Sequence, residues 1–422
     1  MFGFFFRGEK LSPEQHAAKL IARVQARRPG VQIRYVAAET LLRIEEVPVR
    51  KIFLENMYKD FLRAPQHERD AVLDRQAAVC AQAPEVPQME GSYENHIRPK
   101  LVPVVRSRAY AAMLQHMDPS RYSEGIDMTD IKVPILPGRP LGEDRTVHVV
   151  LDTQHAMTQV SEEQLQTWGR SFEDVLADAV QNLRNATIPK WEPMEGGFFQ
   201  AAWRDSYDCS RLLLPEVFTP LNLTGCAVAV VASREDLYVA DEHDAAAQLA
   251  MLRFAGARLE ENNRWQAGSL IVLQADGTWT PYKATEPTVR QAEANLRNLL
   301  MHREYANQKE GMDRLHAAAG KDLFVASFMA YRTQENDVFS MCTFSQGVEA
   351  LLPKTDKVIF LATGLDGKPI TPPMATVPWE IAQAIAGHLL TPVAMYPPRF
   401  HVREFPSGVV AERLRAAAQQ QG

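Results

Sequence analysis

Cys226-Ala227-Val228-Ala229-Val230-Val231-Ala232, then Ser233-Arg234-Glu235-Asp236, then Leu237-Tyr238-Val239-Ala240 read as two apolar strands about a polar turn. Short apolar, β-branched runs bounded by charged and small residues are what buried strands require. A helix-forming segment over 244–257 follows directly, so strand and helix alternate within one short stretch. Downstream, 270–273 and 279–282 flank Asp276-Gly277, a dipeptide that supplies the positive φ of tight hairpins. Upstream, 146–151 alternates His148 with valines as a buried strand, and helices are expected at 162–168 and 172–185. The second carries Phe172, Val175, Leu176, Ala179, Val180 and Leu183 at helical spacing. Residues 198–203 and 210–214 add a further strand and helix.

The same mixture extends to both ends. Ser12, Pro13 and Gln15 make a helix start with a capping box, and Pro29-Gly30 stops that helix. Residues 31–36 and 41–44 pattern as a short hairpin, and 71–81 as a helix. Between them, 50–63 patterns as a helix burying Phe53, Leu54, Met57, Tyr58, Phe61 and Leu62. Residues 101–105 fit a buried strand, whereas 117–142, rich in Pro, Gly and Asp, read as loop with one short strand. Residues 287–319 combine charge with high helix propensity, predicting a connecting helix or helical hairpin. Beyond it, 324–331, 338–344 and 358–362 are strand candidates, and 351–354 reads as a strand-to-helix connection. An apolar helix at 379–390 and a closing strand at 400–405 complete the pattern. The fold class is α+β, with mixed helices and short-stranded sheets. The organisation expected is an α+β region at 1–285 with room for two subdomains, a helical connector at 286–319 and a small α+β domain at 320–422.

Composition narrows the function classes. The chain has 422 residues, of which 46% are apolar and 23% charged, as in ordinary globular proteins. A formal charge of −6 argues against general nucleic-acid binding, which needs clustered Lys and Arg. Cys80, Cys209, Cys226 and Cys342 are far apart, without a C-x-x-C pair or a His at metal spacing. Reduced thiols in a cytoplasmic protein, with neither metal nor cofactor, are therefore expected. Nowhere does an apolar run approach the roughly 18 residues of a spanning helix. The aromatic opening Phe2-Gly3-Phe4-Phe5-Phe6 is too short for a secretory signal and reads as a plug packed on the surface.

Several pieces then recur in a recognisable order. They are Arg28-Pro29-Gly30-Val31, Leu54-Glu55-Asn56-Met57-Tyr58, Leu101-Val102-Pro103-Val104-Val105-Arg106-Ser107 and Val149-Val150-Leu151-Asp152. Trp168-Gly169, Asp205-Ser206-Tyr207-Asp208-Cys209-Ser210-Arg211-Leu212-Leu213 and Val230-Val231-Ala232-Ser233-Arg234-Glu235-Asp236-Leu237 follow. Together, over about residues 15–275, they resemble the YtpQ-like family of bacterial proteins of unknown function. The resemblance implies a cytoplasmic bacterial setting and a fold, but no activity. Cys209 departs from it, standing where the family has a small residue, and the region after about 285 lies outside it.

The densest polar cluster runs from Trp203 to Arg211. Its carboxylates, guanidiniums, phenol and hydroxyls could bind an anion or orient a general acid. The plainer reading has Ser206 or Asp208 capping the helix of Leu212 and Leu213, with Arg211 paired to an acidic neighbour. Arg106 at a strand end could reach the same pocket, or serve a structural salt bridge. Asp152 sits at the strand-end position where α/β proteins place functional carboxylates, or is an ordinary turn residue. The ligand-binding candidates are thus Arg106, Asp152, Asp205, Asp208 and Arg211. Cys209 is the better candidate for a reactive thiol, because Arg204 or Arg211 could lower its pKa, whereas Cys226 reads as embedded in an apolar strand. Asp241-Glu242-His243-Asp244 looks like a metal-binding run, but acidic residues opening a helix explain it.

Phosphate-loop, nucleophile-elbow, zinc-protease, dinucleotide and kinase signatures are all missing. This favours a non-catalytic binding or interaction protein, with a protein partner at the 320–422 region through Trp379, Tyr396, Phe400 and Phe405, or else core packing of those rings. The alternatives are a hydrolase or transferase acting on an anionic substrate, with the five candidates converging in one pocket, and a defence or immunity component.

Overall fold

A computed structural model of the chain describes residues 11–37, 40–45, 50–81, 92–110, 136–153, 157–261, 266–335, 337–364 and 368–420. It is an α+β fold in which helices interleave with several small sheets. The chain divides into two compact units, Met1–Lys100 with Asp152–Thr158, and Leu101–Leu151 with Gln159–Gly422. The boundary expected at 285 falls inside the second. The aromatic opening and most of the 117–142 loop lie outside the described residues.

In the first unit, helix Pro13–Arg27 starts as its sequence directs: Ser12 Oγ accepts from Gln15 N, and Gln15 Oε1 accepts from Ser12 N. Its apolar stripe, Ala17, Leu20 and Val24, is buried with Leu42, Leu54, Ala77 and Cys80. Helix Arg69–Ala81 packs alongside, fastened by Arg23 to Asp70 and Asp74. Strands Ile33–Val36 and Leu41–Ile44 form the expected antiparallel hairpin. One expectation fails here. Arg50–Phe53 is a third strand, with Ile52 opposite Leu42, and helix begins only at Glu55. The ladder bonds offered by the hairpin outweigh the helix propensity of four residues.

Among the described residues of the second unit, one helix bridges two of the apolar clusters. The first surrounds a six-stranded antiparallel sheet ordered Trp279–Pro281, Ile271–Leu273, Ala227–Ser233, Asp236–Asp241, Phe199–Ala201, Trp191–Pro193. Its centre is the hairpin read first from the sequence: Ser233 pairs with Asp236, leaving Arg234-Glu235 as the turn. Helix Ala245–Glu261 covers Val228, Val230 and Ala232, while Ala229 and Val231 are equally buried on the other face. That explains an unbroken apolar run where a one-sided strand would alternate. A second small sheet pairs Leu101–Ser107 with Arg145–Leu151, and Arg139–Leu141 adds to the latter strand. Helix Phe172–Asn185 lies on Leu101–Ser107, burying Val175, Leu176, Ala179 and Leu183 at roughly 1.5–3 kcal/mol for each large side chain.

Residues Pro287–Ala319 form a single helix of 33 residues, continuous through Gly311. Val289, Leu296 and Leu300 join the first cluster; Met312, further along, packs with Val325, Leu351 and Val393. Two four-stranded sheets follow. The segment 324–331 is two strands, Phe324–Val325 and Met329–Arg332, in different sheets. Ala350–Pro353 is a strand rather than a connection, parallel to Phe324–Val325 and antiparallel to Arg399–Val402. Helix Gly408–Gln419 was not expected.

Arg399 locks this part together. It is fully buried, and its Nε donates to Gln308 Oε1 at 2.6 Å while Nη1 donates to Ala326 O and Leu351 O at 2.8 and 2.9 Å. Burial pushes its pKa down to about 10. Three of the four aromatic residues that suggested a partner surface follow the core-packing reading: Trp379 lies against Phe400, and Phe405 against Phe344 and Phe360. No described helix is long and apolar enough to cross a membrane.

Candidate functional site

The loop after strand Phe199–Ala201 turns through Arg204 at φ 55° and Ser206 at φ 70°, backbone that non-glycine residues seldom adopt. Two aspartates hold it there. Asp208 Oδ1 accepts from the N–H of Trp203 and of Arg204, and Asp205 Oδ1 accepts from Tyr207 N–H. The 3₁₀ helix Asp208–Leu213 therefore has no side-chain cap; the Asp208 carboxylate reaches back along the loop rather than forward into the helix. Asp208 is completely buried and its Oδ2 has no partner among the described residues. Burial, reinforced by the charge of Asp205, pushes its carboxyl above the ordinary range.

Arg211 is the other anchor of the loop. Its Nη1 and Nη2 donate to the two oxygens of Asp205 at 2.9 and 2.6 Å, its Nε donates to Thr187 Oγ1, and the guanidinium lies 4.4 Å from the Trp203 ring. Partial burial would raise the Asp205 carboxyl, but the Arg211 guanidinium overcomes it and holds the group below the usual carboxylate range. The pairing of Arg211 with an acidic neighbour is thus as read from the sequence. With its donors committed to protein partners, Arg211 serves the scaffold.

Cys209 is buried, and its Sγ donates to Ser233 O. Its pKa moves opposite to expectation. Burial, with Asp208 and Asp236 adding, pushes the thiol well above its usual value, outweighing Arg106 and Arg145. A thiol held protonated is no nucleophile near neutral pH. Cys226 is exposed, one residue ahead of the strand that was expected to embed it.

Arg106 approaches the same cluster from a neighbouring strand. It ends a buried strand opposite Thr146, half-buried, with Nη1 donating to Val105 O. Its guanidinium lies 5.9 Å from the Tyr110 ring, and Arg234, Cys209 and Tyr207 are close enough to act on it electrostatically. Burial first, and the like charge of Arg234 second, lower its pKa. Arg234 reaches this neighbourhood from the hairpin turn, donating from Nε to Ser206 O. A second guanidinium and two phenols therefore lie within electrostatic range of Arg106.

Asp152 closes the strand Arg145–Asp152 and falls in the first unit, whereas the other four candidates fall in the second. The run at 241–244 is taken up by backbone contacts: Asp241 accepts from the N–H groups of Thr224, Gly225 and His243, and Asp244 caps helix Ala245–Glu261 at Ala247 N. Among the described residues no three His, Cys, Asp or Glu side chains are placed to hold an ion.

Sequence reasoning missed Arg234 and Tyr110 as neighbours of Arg106, while Tyr207 belongs to the cluster that Arg106 was expected to reach. The signal was hidden in packing between two sheets, which brings residue 106 near a turn more than a hundred positions later. Comparison with protein-family models, with curated proteins and with solved structures found no match.

Proposed function

We propose that this chain is a binding protein for a small anionic ligand, a phosphate or a carboxylate, seated at Arg106 and Arg234 with Tyr110 and Tyr207. The observation that carries this reading is that Arg106, largely desolvated near the end of a buried strand, lies within electrostatic range of Arg234. Guanidiniums hold planar oxyanions with paired N–H groups, which suits them to a phosphate or a carboxylate. The protonated state of Cys209 supports binding rather than covalent chemistry. The ordered motifs over residues 15–275 support a place in the YtpQ-like family, which brings no activity with it.

The test is calorimetric titration of the full chain with inorganic phosphate and with succinate, alongside Arg106→Gln and Arg234→Gln. Binding by the native chain that weakens at least tenfold in each variant is the expected result. Equal binding by native chain and variants overturns the assignment. Ligand at about 100 times its Kd should also stabilise the native chain by about 2.7 kcal/mol.

A further inference from the structure

Three helices of the first unit meet at one histidine. His16 is fully buried on Pro13–Arg27, and a chain of hydrogen bonds runs from it across the other two. Its Nε2 lies 2.9 Å from Gln76 Oε1 on Arg69–Ala81, and Gln76 Nε2 donates to Met57 O on Glu55–Arg63 at 2.7 Å. That donation turns the amide oxygen toward the ring, so Nε2 of His16 carries the hydrogen and donates it. The rings of Tyr58 and Phe61 flank the imidazole, with centroids at 5.5 and 5.1 Å. Nδ1, the remaining nitrogen, is buried and has no partner among the described residues. A buried acceptor without a donor is uncommon, and each instance asks for a reason.

Among the described residues the charges on the surrounding elements are turned elsewhere. On the same helix Glu14 and Lys19 are exposed. On Arg69–Ala81, Arg69 donates to Ala64 O and Leu62 O, Asp70 and Asp74 pair with Arg23, and Arg75 is exposed. The Cys80 thiol on that helix is buried with Leu20 and Val24. On Glu55–Arg63, Asp60 and Arg63 are exposed, Lys59 is half-buried, and the Tyr58 hydroxyl gives its hydrogen to Leu11 O. His67 and Glu68, between those two helices, are exposed as well. Burial and the Gln76 bond are what act on His16.

We propose that His16 is a proton-operated latch on this unit: a proton taken from solvent at Nδ1 in mild acid parts the three helices that the Gln76 bond draws together. Burial already holds the imidazole below its ordinary range, against the pull of Gln76. A proton on Nδ1 makes a cation out of water, with a new N–H that finds no acceptor in the closed packing. The charged ring is favoured once the helices separate and water reaches it. The open unit therefore binds the proton more readily than the closed one. Closure is undisturbed by this group above about pH 6.5, the ordinary histidine value, and weakens as pH falls below it. Opening bares the apolar stripe of Ala17, Leu20 and Val24.

Hydrogen exchange of the full chain, followed by mass spectrometry at pH 7.5 and 5.5 and corrected for the intrinsic rate, tests the latch. Protection of the three helices in the native chain should fall by up to about tenfold at the lower pH. His16→Gln keeps a donor for Gln76 but takes up no proton, and its protection should change less than twofold. Gln76→Glu sets a carboxylate against Nε2, which favours the charged ring in the closed packing and should abolish the fall. No fall in the native chain, or an equal fall in His16→Gln, overturns the latch. If His16→Gln does not fold, Gln76→Glu decides, and a fall as large as the native one overturns it.

Discussion

Replacing Asp205 separates scaffold from ligand chemistry. Asp205→Ala removes two charge-assisted hydrogen bonds to Arg211, at 2.9 and 2.6 Å, and the acceptor of Tyr207 N–H. Breaking a fully buried pair costs about 3–5 kcal/mol, because the surviving charge is stranded. Here only one partner is deep: the Arg211 side chain is 1% exposed and that of Asp205 42%. Solvent screening at Asp205, and the bonds Arg211 keeps with Thr187 and Trp203, bring the expected cost down to about 2–3 kcal/mol. Asp205→Asn retains one acceptor and should cost about 1–2 kcal/mol. In a unit of this size that corresponds to a fall in melting temperature of roughly 4–6 °C for the alanine variant. Thermal melts of the native chain, Asp205→Ala, Arg211→Met and the double variant yield the coupling energy, expected at about 1–2 kcal/mol. The phosphate affinity of Asp205→Ala should stay within a factor of two of native. A melting temperature within 1 °C of native, or coupling below about 0.5 kcal/mol, refutes the clamp.

Three further outcomes follow from the same structure. Arg399→Ala should cost about 3 kcal/mol and Arg399→Met less: both strand Gln308 Oε1 and Ala326 O, but methionine fills the space, and both remove a charge that burial disfavours. Equal melting temperatures for native and alanine chains would contradict this. Stability should fall from pH 9 upward, because burial raises Cys342 to about 12 and also lifts Tyr238, Tyr305 and Tyr396. The unfolded chain releases those protons first, so each group withdraws about 1.4 kcal/mol per pH unit above its unfolded pKa. Arg399, lowered to about 10, acts in the opposite sense between pH 10 and its unfolded value, one group against four, so denaturation midpoints that rise between pH 9 and 11 would refute the balance. Iodoacetamide at pH 8 should modify Cys226 and spare Cys80, Cys209 and Cys342 until the chain unfolds, as mass spectrometry of timed samples reads; comparable labelling of Cys209 contradicts its burial.

The sequence carried local punctuation well. The capping box at Ser12 and Gln15, the Asp276-Gly277 turn with Gly277 at φ 83°, and the Arg234-Glu235 hairpin are each dictated by a few adjacent residues. What it concealed was tertiary. Residues 50–53 have no helical defect; a neighbouring hairpin claims them as a strand. Arg399 reads as one polar position in a strand, and only the approach of Gln308 and two carbonyls makes it a buried hub. At the candidate site, Arg211 and Asp205 are six positions apart and their pairing was legible, whereas the approach of Arg106 to Arg234 required the packing of two sheets. Cys209 shows the reverse error: adjacent arginines suggested a thiolate, but the side chain turns into the core.

The helix Pro287–Ala319 also governs how the protein can be dissected. Asn298 donates to Val338 O and Asp356, Tyr305 donates to Pro398 O, and Gln308 donates to Pro397 O, so these inward-facing polar side chains find their partners beyond residue 320. A fragment ending at 320 would bare Met312 and Tyr305 to water and leave those amides and that phenol without acceptors. Loss of any activity in such a fragment would report misfolding and aggregation, not a missing docking module. Mapping what this chain touches calls for single surface substitutions in the intact polypeptide.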